Sequence, residues 1–512
     1  MTNESSRLYK SFLNARVNLL FYFITLILSF FSRKVFLDSL GDDFIGLTGS
    51  LSSLLGFLNI AELGIGSAVA YTLYKPLFAQ DQKKITDIVS VYGYLYRLVG
   101  VFILIAGVIL AFFFPLIYPN TGFNIGIIYF AYISFLSSSL LSYFINYRQT
   151  LLSADQKHYV VTACYQSAII VKTLIQMCIA YYTHNYYVWS AIEIVCGVLY
   201  ALILNKKIKQ VYPWLKTDIR SGRLLRKQYP EIIEKVKQIF VHKIGGVIYS
   251  QCVPVLLYAF GSLQLVAFYG NYTLITNRLS GLLNSLLGST AASIGNLIAE
   301  GDKEKIINVY WELLAIRFWI AGVFSFALYH LLPSFVILWL GEEYLLGNNI
   351  LILIIITFVF AIIRNVTDQY KAGYGLYADV WAPLVESFIS IVVAVICGKA
   401  WGLSGVLLGG ITSTVLIVYI WHPYYLFSKG LCVSFGQYIF NFLKNSFVLI
   451  CCYYISSKII QHIPFDGSES WMKWIIYATC IVSIFSVVSL FIMLLFVPGI
   501  RMFIKRLKLI RL

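Results

Sequence analysis

Apolar stretches of about 20 residues, the length a helix needs to cross roughly 30 Å of hydrocarbon, recur along this 512-residue chain, separated by sharp polar or glycine breaks. They fall near 17 to 37, 44 to 73, 89 to 114, 125 to 147, 159 to 182, 186 to 204, 242 to 260, 266 to 298, 309 to 331, 349 to 370, 381 to 398, 402 to 422, 437 to 457 and 472 to 497. A soluble fold cannot absorb such a series. With 59% hydrophobic and 12% charged residues and a mean hydropathy of +0.79, too little polar surface exists to cover a globule of this size. The pattern predicts an all-α polytopic membrane protein of about 14 transmembrane helices. The first stretch is full length and ends in charge rather than at a small-residue cleavage site, so it is expected to remain as a span.

The one long polar segment, 205–241, sets Lys206, Lys207, Lys209, Lys216, Arg220, Arg223, Arg226, Lys227, Lys235 and Lys237 against Asp218, Glu231 and Glu234. Short loops of this bias stay in the cytoplasm, because moving them across the bilayer is costly and opposed by the membrane potential. With the N-terminus inside, the loops around Lys75 to Lys84, Arg148 to Lys157, Lys303 to Lys305, Lys371 and Lys429 to Lys444 fall on the same side. So does the tail with Arg501, Lys505, Arg506, Lys508 and Arg511. The opposite loops hold Arg33, Lys34, Lys399, Lys458 and Lys473. The expected topology is multi-pass with both termini cytoplasmic. The net charge of +16 then reads as a topology signal rather than an affinity for nucleic acid.

The basic segment divides the chain into an N-terminal six-helix lobe at 1–204, a cytoplasmic linker at 205–241, a C-terminal six-helix lobe at 242–428, and two extra helices with a basic tail at 429–512. One constant offset carries Gly41 onto Gly261, Ala79 and Lys83 onto Ala299 and Lys303, and Arg97 onto Arg317. Identity at that offset is at chance level for so biased a composition, so the internal repeat rests on the order of loops and charges. Paired bundles are a common transporter design. The outer loops are short, the longest around 332–348 and 457–471, and neither is large enough to fold into an exported catalytic site. The run PSFVILWLGEEY is expected to form a short re-entrant or interfacial helix with Trp339 at headgroup level.

Ionisable residues inside the spans are the informative ones, since Arg or Lys at a helix centre costs about 2.5–3.5 kcal/mol even on the milder scales. Lys172 in IIVKTLI and Arg278 in LITNRLSGLL fall deep. Arg317, Arg33 in SFFSRKVFL and Arg364 in AIIRNVTDQ lie nearer span ends, where snorkelling to the interface is the alternative. The acids are Glu62 in NIAELGIGSA, Glu193 in SAIEIVCG, Glu312 in YWELLAIR and Glu386 in LVESFIS. Glu193 and Lys172 sit in consecutive antiparallel spans, so mutual neutralisation is one reading of that pair. The balance still leans cationic. A cationic interior implies an anionic substrate, and phosphate or pyrophosphate fits the forked donors of Arg best.

No motif for covalent chemistry is present: GxxxxGK[ST], HExxH and GxSxG are absent, so no catalytic residue and no cofactor is expected. The nine cysteines form neither CxxC nor a Cys/His ligand spacing, so no metal and no disulfide framework is expected.

The segment SRKVFLDSLGDDFIGLTGSLSSLLGFLNIAELGIGSAVAYTLY, the junction LLSADQKHY, and WGLSGVLLGGITS followed by HPYYLFSK resemble the polysaccharide flippases of the multidrug/oligosaccharidyl-lipid/polysaccharide exporter superfamily. The shared pattern is an Arg near the end of the first span, then LG, then a long helix ending ELGIG. The likeness covers nearly the whole chain and departs in having GGITS where many members have GTIIS. It implies two six-helix lobes forming a V around a central cavity, with two helices added. It also implies a non-enzymatic flippase that moves a polyprenyl-pyrophosphate-linked oligosaccharide across the cell inner membrane by alternating access, the cargo being a lipopolysaccharide O-antigen, capsule or exopolysaccharide repeat unit. Arg33 takes the pyrophosphate-holding role from the motif. Lys172, Arg278, Arg317 and Arg364 join it from burial, and Glu62, Glu193 and Glu386 are candidate coupling acids. The expected partners are lipid-linked oligosaccharide, membrane lipids, and polysaccharide polymerase and assembly proteins, with no nucleic acid. Two alternatives stay open: a cation-coupled multidrug exporter of the same superfamily, against which the cationic interior counts, and a membrane-embedded glycan polymerase, against which the short outer loops count.

Overall fold

A computed structural model describes residues 4–119, 121–288, 290–463 and 467–510, and all regular structure among them is helical. Packing divides the chain into two units, Met1–Ala267 and Phe268–Leu512.

Unit 1 contains α1 (Glu4–Leu40), α2 (Asp42–Leu58), α3 (Ile65–Phe78), α4 (Gln82–Phe112), α5 (Ile125–Phe144), α6 (His158–Thr183), α7 (Tyr186–Val211), the short α8 (Ile219–Leu225), α9 (Pro230–Phe260) and the first turn of α10 (Leu263–Leu287). The helix starts are written in the sequence by side chains that accept otherwise orphaned N–H groups of the first turn. Asp81 accepts from Lys84, Asn124 from Gly126, and Asn185 from Tyr187 and Val188. Gly64, at φ 90°, breaks the span expected over 44–73 into α2 and α3, a backbone conformation that glycine alone adopts without strain. The bend leaves Asn59–Glu62 as a 3-10 turn within the unit. α1 packs on α6, and α7 packs on both α5 and α6. α9, which the sequence places at the start of the second lobe, packs here against α2 and α3.

Much of the basic segment is folded rather than loose. α7 runs on through Val211, so Lys206, Lys207 and Lys209 prolong a span helix. Beyond it, Tyr212 donates to Asp155 at 2.8 Å, and burial, then the charge of Asp155, push its phenol up. The Asp218 N–H donates to Ser90 Oγ at 3.2 Å. Gly222 of α8 lies so close to α4 that a Cβ there would stand 2.3 Å from the Ser90 carbonyl oxygen.

Unit 2 contains the rest of α10, α11 (Thr290–Glu300), α12 (Lys303–Trp339), α13 (Asn348–Gly373), α14 (Ala382–Ser413), α15 (Phe435–Ile460), α16 (Trp471–Phe496) and α17 (Pro498–Ile510). α14 is interrupted by non-helical backbone at Trp401 and by Gly402 at φ 54°, where the two spans expected over 381–398 and 402–422 meet. It continues through π-helical turns at Thr414–Trp421 and Phe427–Leu431. α12 corrects an expectation. At 37 residues it is about 55 Å long, well beyond the hydrocarbon thickness, and PSFVILW forms its last turns instead of a separate interfacial helix. Trp339 is buried, because Phe335 packs against Trp471 and Trp474 as α16 covers this end of α12.

Among the described residues eleven helices are long and apolar enough to cross a membrane. The chain is an all-α polytopic membrane protein. The difference from the expected fourteen lies in three places. The fifty-residue stretch Ala382–Leu431 counts once despite its break, α9 contributes a shorter apolar helix at Ser250–Phe260, and α10 carries Asn271, Asn277, Arg278 and Asn284.

Candidate functional site

In unit 1 the antiparallel neighbours α6 and α7 bring Lys172 to Glu193, and the ammonium lies 2.9 Å from both carboxylate oxygens. The pair lines a cavity of about 470 Å³ together with Asn59 of the 3-10 turn, Ser138, Ser139 and Ser142 of α5, and Asn146 just beyond it. Gly197 holds α7 close to α5 there, since a Cβ would stand 2.9 Å from Ser138 Oγ. Asn146 is 1% exposed, and its Oδ1 is buried without a hydrogen-bond partner among the described residues. Next to Asn59 on the same turn, Glu62 accepts from Tyr96 of α4 at 2.5 Å and Tyr143 of α5 at 2.6 Å. Tyr143 also lies 3.0 Å from Asn59 Oδ1, and Ser139 donates to the same oxygen at 3.3 Å. The bend at Gly64 thus sets an amide and a carboxylate among tyrosines inside a span. Arg33, on α1, donates from Nη2 to the Ala267 carbonyl at 2.8 Å.

In unit 2 Arg364 of α13 donates from Nε to Asp368 Oδ2 at 3.0 Å, one helical turn away, and its Nη1 lies 3.8 Å from Glu386 Oε1 of α14. His422 stands on the far side of Asp368, with Nδ1 3.4 Å from Oδ1. A turn further along α13, Lys371 donates to Asp379 at 2.6 Å, and the Trp421 indole donates to the same carboxylate oxygen at 3.2 Å. Arg317 of α12 is 3% exposed. Its Nη2 donates to the Leu287 carbonyl at the C-terminus of α10, 3.1 Å away, while Nη1 is buried with no hydrogen-bond partner among the described residues. A terminal helix carbonyl holds a guanidinium in place through its partial negative charge without cancelling the unit charge. Arg278 is half-buried on α10.

The structure therefore joins Lys172 to Glu193 and Arg364 to Glu386, hangs Arg33 and Arg317 on backbone carbonyls, and gives Glu62 to two phenols. Asp368 and His422 were not foreseen. The first had a sequence signal, the i to i+4 spacing in RNVTDQ that places its carboxylate beside Arg364 on one helix face. The second had none, because only the tertiary packing carries residue 422 to α13. Glu312, five residues from Arg317, pairs with Arg506 of α17 at 3.2 Å.

No protein-family model matches the chain, and no curated protein matches it. Solved structures do match. The chain is similar to a structure described as lipid II flippase MurJ in an inward closed conformation, with TM-score 0.63 and 15% identity over 91% of this chain and 97% of that one. It is also similar to an inward-facing multidrug resistance MATE family transporter of the MOP superfamily, with TM-score 0.57 and 14% identity over 80% of this chain and 97% of that one. The chain shares the fold of these two structures. They are described with different cargo, so the fold accounts for the multi-pass architecture and leaves the cargo to the side chains.

Proposed function

We propose that this MOP-fold chain is a non-enzymatic transporter of the cell inner membrane, with both termini cytoplasmic. It moves a polyprenyl-pyrophosphate-linked oligosaccharide across the membrane by alternating access. Buried Arg317 is the observation that carries the reading. A guanidinium inside a span, anchored by one nitrogen and unpartnered on another among the described residues, is built for an oxyanion. Similarity to a lipid II flippase supports a lipid-linked cargo. On this reading the remaining predicted cations divide. Arg278 and Arg317 in unit 2, and Arg33 in unit 1, are each a candidate for the pyrophosphate, whereas Lys172 and Arg364 are held by acids and orient their surroundings. Glu386, beside Arg364, Asp368 and His422, is the coupling acid this arrangement favours.

One observation favours a second reading. Glu62 is a carboxylate inside a span, held by the hydroxyls of Tyr96 and Tyr143, and an acid at that depth suits a cationic cargo, that of a drug exporter. Reconstitution into liposomes separates the two. Movement of a fluorescent polyprenyl-pyrophosphate glycan by the wild type, reduced at least tenfold by Arg317→Met, supports the flippase. Export of a cationic dye with no glycolipid movement replaces it with the exporter.

A further inference from the structure

We propose that the hydroxyl-lined cavity of unit 1, between α2, α5, α6 and α7, is a binding site for the neutral sugar part of the cargo, apart from any group that holds the pyrophosphate. The inference rests on the oligosaccharide reading above and deepens it.

Charge is the first argument. Lys172 and Glu193 cancel each other, each carboxylate oxygen being 2.9 Å from the ammonium, so the cavity offers no net charge to a phosphate or to a cation. What it offers is a mixed set of donors and acceptors. Ser138, Ser139 and Ser142 each carry a hydroxyl that both donates and accepts, and the ion pair keeps an ammonium proton and carboxylate lone pairs in reserve. A ligand made of hydroxyls, each likewise donor and acceptor, matches that set without a desolvated charge.

An unmet need is the second argument. Asn146 Oδ1 is a buried acceptor without a partner among the described residues, and a group of this kind costs about 1–3 kcal/mol when left unsatisfied. Asn146 lines this cavity, which sets the unsatisfied amide at its wall. The third argument is shape. About 470 Å³ falls within the range of roughly 300–1,000 Å³ usual for small-molecule sites. Phe135 and Tyr165 supply aromatic walls of the kind that pack against the C–H face of a sugar ring. Gly197 keeps the floor from closing, because any side chain there would meet Ser138 and Leu141.

The test compares two fluorescent polyprenyl-pyrophosphate lipids in liposomes containing the full-length protein, one carrying a tetrasaccharide and one a single sugar. The variants are Ser142→Leu, which fills the cavity, and Ser138→Ala/Ser142→Ala, which removes hydroxyls without adding bulk and decides the question if the first does not fold. Expected is a fall of about tenfold for the tetrasaccharide with Ser142→Leu and about threefold with the double variant, against less than twofold for the single-sugar lipid. Equal movement of both lipids by variants and wild type, or an equal fall for both, overturns the sugar site and leaves the flippase reading intact. A wild type that moves neither lipid overturns the flippase reading, and this inference with it.

Discussion

Replacing Lys172 by Met and Glu193 by Leu, singly and together, measures what the ion pair of unit 1 contributes. At 2.9 Å and an effective dielectric of about 20, the direct attraction is on the order of 6 kcal/mol. Both ions lose hydration to meet. Their side chains remain 23% and 15% exposed to the cavity, so the desolvation term removes more than half of that attraction without erasing it. Each single variant leaves one charge stranded inside a span and is expected to destabilise by about 2 kcal/mol. The double variant strands none, so its expected cost is about 1.5 kcal/mol, and the cycle gives a coupling of about 2.5 kcal/mol. Reversible unfolding in mixed detergent micelles, followed by tryptophan fluorescence, reads all four proteins. A double variant costing about 4 kcal/mol, the sum of the singles, means that the two side chains do not stabilise each other and refutes the argument from neutrality.

Arg317→Met, close in length and uncharged, should change stability by less than about 1 kcal/mol, since relief of a buried unpaired charge is offset by the lost hydrogen bond to the Leu287 carbonyl; the same unfolding assay checks this, and a loss above about 3 kcal/mol makes Arg317 a structural residue. Arg506→Ala strands Glu312, which is 6% exposed, and should loosen α17 by about 1–2 kcal/mol, seen as faster amide exchange in Pro498–Ile510; the swap Glu312→Arg/Arg506→Glu should restore part of the protection, and unchanged exchange in the single variant sinks the idea. Exposed Cys432, kept as the sole cysteine, should react with a membrane-impermeant maleimide in inverted vesicles and not in right-side-out ones; the reverse pattern inverts the proposed topology.

How much of this could be read from the chain depended on the range of the interaction. Spans were legible because a helix in lipid must satisfy its own backbone, so twenty apolar residues mean one thing almost regardless of context. The capping residues Asp81, Asn124, Asn185 and Asp302 mark the breaks for the same local reason. The Gly402 break was legible as well. PSFVILW was misread, since a proline and a tryptophan near a span end look like an interfacial helix until Trp471 and Trp474, over a hundred residues away, are seen to pack on Phe335 between them. The candidate site shows the same division. Lys172 with Glu193 was foreseeable from adjacent antiparallel spans and Arg364 with Asp368 from spacing. The links of His422 to Asp368, of Glu62 to Tyr96 and Tyr143, and of Glu312 to Arg506 join distant parts of the chain and leave no periodic trace.

The pairing of charges also changes what the cationic excess means. Counted along the sequence, five basic side chains against three acids suggested one positively charged interior. In the folded units Lys172 is cancelled by Glu193, and Arg364 is flanked by both Asp368 and Glu386, with His422 against the other oxygen of Asp368. Arg317, hung on a helix carbonyl, keeps a charge with no ionic partner among the described residues, and on the proposed reading that is the charge a diphosphate meets. On that reading attraction of the cargo falls to a cation hung on a helix carbonyl, while a cation enclosed by acids ties α13 to α14.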